Sequence, residues 1–213
     1  MSRFTILLGG ELTPTPRLAA QIVGSRVIAA DSGMRHAAAL GVTPEIWVGD
    51  FDSVPDDLPA DLLAVERQAF PPAKDNTDGE LAVDEALARG ATEVLLAGAF
   101  GGPRLDHAFL HLTLAVRLAE AGVAALLSSG TQEGAPLGRS RSFDYPDGTL
   151  FSIIAFDDLA GLTVSGARWP LQSFDMPFGS SRTISNEVRG DLRVELRSGR
   201  ALLVAHPYPA TDF

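Results

Sequence analysis

The chain has 213 residues, 46% of them hydrophobic and 21% charged, and it carries no cysteine. Those proportions suit a globular protein with one generous core or two small ones, and they exclude a disordered chain, a disulfide scaffold, a thiolate metal site and a cysteine nucleophile. The net charge of −10 falls wholly between Asp31 and Asp106, where 15 Asp or Glu face 5 Lys or Arg; a nucleic-acid surface needs the opposite sign, so no such partner is expected.

Met1-Ser2-Arg3-Phe4 lacks the layout of a secretory signal. No apolar run approaches the ~20 residues that span a bilayer, so a cytoplasmic chain with no membrane partner is expected. Phe4 to Leu8 reads as a strand running into Gly9-Gly10, and Pro16 to Val23 suits a helix. Val27 to Ala30 is a second strand, Met34 to Leu40 a short helix stopped by Gly41, and Ile46 to Val48 a third strand. Leu62 to Glu66 reads as a fourth strand. Asp78 to Arg89 and Asp106 to Ala121 have helical spacing, with the strand Glu93 to Ala97 between them. Buried strands alternating with helices predict an α/β N-terminal domain, residues 1–130, built on a mainly parallel sheet.

Ser128 to Arg141 is polar and contains glycine, and reads as a linker. Short β-type runs then follow at Leu150–Phe156, Leu162–Val164, Thr183–Val188, Leu192–Leu196 and Ala201–Ala205, separated by turn pairs. They predict an all-β sandwich C-terminal domain over residues 141–213.

Acidic residues cluster where strands end. Gly49-Asp50-Phe51-Asp52-Ser53 follows the third strand, at the carboxyl edge where open α/β sheets place ligands. An extended backbone would point Asp50 and Asp52 to one side, a pair that suits Mg²⁺. Helix capping by Asp52 or Ser53 accounts for the same residues equally well, and Asp56 and Asp57 suit the positive end of the helix that follows. Thr77 and Glu80 form a capping box at the start of the helix at 78–89. That box leaves Lys74, the single lysine beside 16 arginines, at a helix N-terminus where phosphates bind. Asp75 and Asp78 are candidates for a metal or for orienting Lys74.

Gly98 to His107 runs from a strand through a glycine loop into a helix. Glycines allow close approach of an anion, and Arg104 can grip phosphate in bidentate fashion. Asp106 reads either as a site acid or as the helix cap. Asp31, in Ala30-Asp31-Ser32-Gly33, adds one more acid at a strand end, and the place of Gly9-Gly10-Glu11 after the first strand permits contact with a ligand there. His107, on the first turn, reads as a surface or packing histidine rather than a ligand, His36, His111 and His206 show no ligand spacing, and there is no Walker-type loop, no G-x-G-x-x-G and no G-x-S-x-G. Phosphate chemistry here would have to use carboxylates and a metal.

Taken together, these residues resemble the thiamine pyrophosphokinase family. The carriers are Asp31-Ser32-Gly33, G-D-F-D-S at Gly49–Ser53, K-D-x-T-D at Lys74–Asp78, and the glycine loop with Arg104, Asp106 and His107. A G-x-x-W-x-L run at Gly166–Leu171 and Ser185-Asn186 extend the likeness into the second domain. Pro103, inserted between the double glycine and Arg104, departs from the pattern and lengthens that loop.

The resemblance implies transfer of pyrophosphate from ATP, the co-substrate, to the hydroxyl of thiamine, with AMP released, by a homodimer whose active sites are shared between subunits. It implies Mg²⁺ on Asp50, Asp52 and Asp78, with Asp31 and Asp106 completing the acidic site; of the aspartates, Asp106 or Asp31 is the preferred acceptor of the hydroxyl proton. Lys74, Thr77 and Arg104 would meet the ATP phosphates, with Asp75 beside them. Ser185 and Asn186 would line the thiamine pocket, with Trp169 either a neighbour there or part of the core. Two rival readings keep the same scaffold: a pyrophosphokinase for another alcohol such as a hydroxymethylpterin, and a non-catalytic thiamine or nucleotide sensor.

Overall fold

The computed structural model describes residues 2–51, 58–71 and 75–208. Six parallel strands form the first half: β1 (Arg3–Leu7), β2 (Arg26–Ala30), β3 (Ile46–Gly49), β4 (Arg67–Ala69), β5 (Glu93–Ala97) and β6 (Ala124–Ser128), in the order β4-β3-β2-β1-β5-β6. Helices α1 (Pro16–Ile22), α2 (Ala37–Leu40), α3 (Ala60–Leu63), α4 (Asp78–Ala88) and α5 (Leu105–Glu120) connect them. Successive residues of β1 face opposite cores, because side chains alternate across a strand. Phe4, Ile6 and Leu8 join Val83, Leu96 and Leu114 on one face, while Leu7 joins Met34, Ala37 and Trp47 on the other. Each of these fully buried side chains contributes roughly 1.5–3 kcal/mol.

Local chemistry sets the helix ends. Thr15 accepts a hydrogen bond from the Leu18 N–H, with Pro16 as the first helical residue of α1. Thr77 and Glu80 form the expected capping box at α4. Gly41, at φ 65°, ends α2 in the left-handed conformation that glycine adopts without strain.

Chain order reverses direction in the sheet between β1 and β5: β2, β3 and β4 build outward on one side of β1, and β5 and β6 on the other. The crevice at the carboxyl ends of these strands is the switch point where open α/β sheets bind ligands.

Three expectations are corrected here. Leu62–Glu66 is not a strand; Ala60–Leu63 is helical behind Pro59, and the edge strand is the short, half-exposed Arg67–Ala69. The stretch expected to start helical at Met34 opens as a 3₁₀ turn, Asp31–His36, before α2. The expected linker at 128–141 contains β7 (Glu133–Pro136), buried throughout. A Cβ added at Gly134 would lie 3.0–3.3 Å from Phe100, Leu127 and Leu202, so only a small residue fits there without displacing them.

β7 joins the halves. It pairs antiparallel with β6 on one side and with β13 (Ala201–His206) on the other, so one sheet runs from the α/β half into the β-rich half. That second half adds β8 (Ser140–Phe143), β9 (Leu150–Ala155), β10 (Leu159–Ala167), β11 (Leu171–Met176) and β12 (Asn186–Glu195), all paired antiparallel. β12 pairs with β9 at its start, with β8 at its end and with β10 at both; Gly190, at φ 89°, lies between. The expected strand at Thr183–Val188 therefore begins only at Asn186, and the run at Leu192–Leu196 belongs to the same strand. Phe151, Ile153, Leu162, Val188, Val194 and Leu203 share a second core. Among the described residues no helix is long and apolar enough to cross a membrane.

Candidate active site

A cleft of about 360 Å³ opens at the carboxyl ends of β1, β2 and β5. Its walls are backbone as much as side chain: Gly9-Gly10 after β1, Gly101-Gly102 after β5, and the first turns of α4 and α5. The glycines here answer a steric demand. A Cβ on Gly10 would lie 2.4 Å from the Gly98 carbonyl oxygen, and one on Gly33 would lie 2.1 Å from that of Leu7. No side chain fits either space.

Four of the expected residues line this cleft: Asp31, Thr77, Asp78 and Arg104. Asp31 follows β2 directly in a left-handed conformation, φ 43°, and its carbonyl accepts a 2.8 Å hydrogen bond from the Trp47 indole. Asp78 is the first residue of α4, and the Thr77 hydroxyl before it is engaged with Glu80 at 3.2–3.3 Å. The 3₁₀ turn that follows Asp31 brings Arg35 and His36 back over the strand ends. Arg35 donates through one nitrogen to the carbonyls of Gly9 and Gly10, and His36 Nε2 donates to Gly10 at 2.9 Å. Arg35 also lines the cleft. Sequence reasoning missed Arg35, and the only available signal was its place four residues beyond a strand-end acid.

Other expected residues sit apart from the cleft lining. Asp50 follows β3, whose last residue Gly49 packs against Asp31, with an added Cβ 3.3 Å from the Asp31 Cα. The extended backbone that was to align Asp50 with Asp52 is absent. Phe51 turns left-handed at φ 60° and sets its ring edge-on to Trp47, centroids 5.2 Å apart, with Arg67 over both rings. Apolar packing of Phe51 thus overrides strand alternation. Asp75 is exposed just ahead of the α4 cap. Asp52, Ser53, Asp56, Asp57 and Lys74 lie outside the described residues.

Asp106 does not cap α5; Arg104 occupies the cap position without a side-chain cap bond, and Asp106 lies in the first turn. The two side chains pair at 2.7 and 3.0 Å, both exposed. This hydrogen bond holds the Asp106 carboxyl down at about 2. His107, expected as a surface or packing residue, and His111, without ligand spacing, both line the cleft, their rings edge-on 6.5 Å apart. His111 is buried and its Nδ1 donates to the Ala99 carbonyl at 3.0 Å; burial lowers its pKa.

Donor chemistry in the cleft fits a hard cation. Asp31 and Asp78 offer carboxylate oxygens beside glycine turns that admit phosphates, and Mg²⁺ needs only one or two carboxylates plus phosphate and water. Among the described residues, no three potential ligands form a ready-made metal cluster.

The remaining candidates lie in the β-rich half. Asn186 opens β12, almost fully buried, and brackets one residue: its Oδ1 accepts from the Trp169 N–H at 3.1 Å and its Nδ2 donates to the Trp169 carbonyl at 2.9 Å. Trp169 is 54% exposed, which corrects the core alternative for it. Arg168 lies 4.7 Å over the ring. Ser185, exposed and left-handed at φ 58°, donates its N–H to the Ser152 hydroxyl at 3.0 Å. From β12 to β1 the sheet passes through β9, β13, β7, β6 and β5, and neither Trp169 nor Asn186 lines the cleft.

Known proteins match both halves of the chain. The family model for the thiamin pyrophosphokinase catalytic domain matches residues 23–127, and that for the thiamin pyrophosphokinase vitamin B1 binding domain matches residues 141–202. Thiamine pyrophosphokinase of Bacillus subtilis (strain 168) is 26% identical over 197 residues, covering 88% of this chain and 90% of the relative. The crystal structure of the Bacillus subtilis enzyme superimposes with a TM-score of 0.82 at 22% identity, covering 96% of this chain and 99% of that one. Thiamin pyrophosphokinase from Candida albicans shares the fold at 11% identity, TM-score 0.78, covering 95% and 89%. The two family models together span most of the sequence, and the chain belongs to the thiamine pyrophosphokinase family.

Proposed function

We propose that this chain transfers the terminal pyrophosphate of ATP to the hydroxyl of thiamine, giving thiamine diphosphate and AMP. The observation that carries the reading is the cleft at the switch point of the sheet, where Asp31, Asp78 and Arg104 meet two glycine turns. In this reading residues 1–130 are the catalytic domain, and residues 141–213 form a β-sandwich that binds thiamine. The enzyme works in the cytoplasm.

Mg²⁺ would be held by Asp50, Asp52 and Asp78; when bound it neutralises the polyphosphate and draws electron density from the phosphorus under attack. The protein's own residues do the rest. Gly9-Gly10 and Gly101-Gly102 let the phosphates approach the backbone, and Lys74, Thr77 and Arg104 bind phosphate oxygens, with Asp75 orienting Lys74. The thiamine oxygen bonds to the β-phosphorus as the bridge to the α-phosphate breaks, and AMP leaves. Asp31 and Asp106 are the two candidates to accept the hydroxyl proton.

Trp169 offers an exposed ring, steadied by Asn186, on which the cationic thiamine rings stack, and Ser185 lies beside it. The attacking oxygen must come within about 3–3.5 Å of the phosphorus. Six strand steps separate the Trp169 bracket from the cleft within one chain, which supports a homodimer in which one subunit's thiamine pocket faces its partner's cleft.

The test is direct: purified protein with ATP, Mg²⁺ and thiamine, assayed for AMP and thiamine diphosphate together, with EDTA as control. Equimolar formation of both products, abolished by EDTA, is expected. AMP formed with a hydroxymethylpterin and none with thiamine overturns the substrate, and tight binding without AMP overturns the enzyme.

A further inference from the structure

Two arginines line the cleft, and their surroundings differ. Arg104 is already neutralised: two of its nitrogens hold the Asp106 carboxylate at 2.7 and 3.0 Å. Arg35 is not. Among the described residues no carboxylate pairs with it, and it meets instead the carbonyls of Gly9 and Gly10 and the ring of His36. His36 Nε2 cannot both donate to Gly10 at 2.9 Å and accept from Arg35 at 3.4 Å, so the shorter bond defines the ring's tautomer.

A guanidinium has five N–H donors in a fixed fork. In Arg35 one terminal nitrogen is committed to the glycine carbonyls, while the other makes no hydrogen bond among the described residues. The side chain is exposed at the cleft, beside a turn that excludes any Cβ at Gly10. Those bonds anchor the guanidinium and so reduce the rotamer entropy lost when an anion binds. ATP brings about four negative charges into a cleft that already holds Asp31 and Asp78, so an unneutralised cation has an evident use there.

Resting on the reading that this cleft takes ATP, we propose that Arg35 is a phosphate-binding residue: it grips the polyphosphate with its outer nitrogen while its inner one holds the Gly9-Gly10 turn. Arg104 then serves in exchange, leaving Asp106 when the nucleotide arrives.

The experiment is calorimetric titration of ATP with Mg²⁺, and separately of AMP, into the full chain and into its Arg35→Gln and Arg35→Lys variants. Melting curves accompany each; the exposed side chain predicts unchanged folding. Arg35→Gln should lose tenfold or more in affinity for ATP and less than threefold for AMP, because AMP lacks the two phosphates concerned. Arg35→Lys should recover part of the loss, since it keeps the charge without the fork. In turnover, KM for ATP should rise at least tenfold and KM for thiamine should stay within twofold. An equal loss for ATP and AMP would mean that Arg35 only shapes the turn, and no loss would remove it from the site; either overturns the proposal. A wild-type chain that binds no ATP overturns the nucleotide reading and this proposal with it, whereas wild-type binding with unaltered variants overturns Arg35 alone.

Discussion

The two halves of the molecule present their polar groups in opposite ways. In the parallel half, Asp31, Asp78 and Arg104 sit on loops and first turns at strand ends, and the shape around them comes from backbone that glycine allows to pack closely. In the β-rich half, the candidate groups lie within or beside strands and are fixed by side chains. Asn186 holds both backbone groups of Trp169, and Glu133, 2% exposed, takes hydrogen bonds from Arg17, Gln21 and Tyr145. An opening framed by backbone tolerates side-chain changes in its lining without collapsing, so its acids can be altered for function at little cost to folding. A group bracketed by side chains cannot be altered without disturbing its neighbour.

The largest expected effect tests the first half of that contrast. Asp78→Asn keeps the first turn of α4, whose capping box uses Thr77 and Glu80, and removes a cleft carboxylate. Turnover should fall by about 10²–10³-fold, several kcal/mol of barrier, with melting unchanged. Asp50→Asn should behave alike. Near-normal AMP release from either would take that residue out of the reaction.

Next in size is the seam between the halves. Arg17, from α1, reaches Glu133 of β7 at 2.7 Å, and Tyr145 donates to the same carboxylate at 2.9 Å. Burial pushes the Tyr145 hydroxyl up, so it remains a donor throughout the physiological range. Glu133→Ala strands these donors. Breaking one side of a buried pair costs about 3–5 kcal/mol, and the lower end applies because Arg17 keeps Asp144 at 2.8 Å. Urea denaturation should show that loss, with separate transitions for the halves if Glu133 is what couples them. A change under about 1 kcal/mol would mean that apolar packing alone closes the seam.

These contrasts also explain what was readable from the chain. The acids at strand ends were legible because apolar runs mark β1, β2, β3 and β5 plainly, and sheet topology then brings their ends together. β7 was hidden because Glu133-Gly134-Ala135-Pro136 carries almost no apolar signal; its burial comes from neighbours that require small residues. β4 was displaced because its three residues lie at a half-exposed edge, while the apolar Leu62 and Leu63 before it belong to a helix. Arg35 was invisible for another reason: a 3₁₀ turn folds its side chain back over β1, and no residue spacing encodes that return. The Asn186–Trp169 bracket joins positions 17 apart and exists only through the pairing of β10 with β12.

A smaller effect sharpens the second half of the contrast. Trp169→Ala removes an exposed ring and should raise KM for thiamine by about 10–50-fold, roughly 1.4–2.3 kcal/mol, with ATP affinity unchanged. Asn186→Ala should raise it as well, and should in addition lower the melting temperature, because it orphans the half-buried backbone groups of its bracket. Equal melting losses in the two variants would mean that the tryptophan itself supports the fold.

The smallest effect is a pH dependence, and it separates the cleft from the seam. Burial lowers the pKa of His111 below its ordinary value of 6.5, against the opposing pull of the Ala99 carbonyl, and burial lowers His36 and His206 in the same direction. A depressed histidine pKa means that the unfolded chain binds the proton more tightly. Stability is therefore fully present above 6.5 and is lost as pH falls from 6.5 towards the folded value. The Asp106 pair adds nothing in that window; its carboxyl is held at about 2, so its contribution persists down to the unfolded value of 3.8 and disappears only below it. Urea midpoints should fall between pH 7 and pH 5, and His111→Asn, whose amide can still donate to Ala99, should flatten part of that slope. An unchanged slope in His111→Asn would assign the loss to His36 and His206, and with it the acid sensitivity to the Gly10 turn or the end of β13 instead of the inner wall of the cleft.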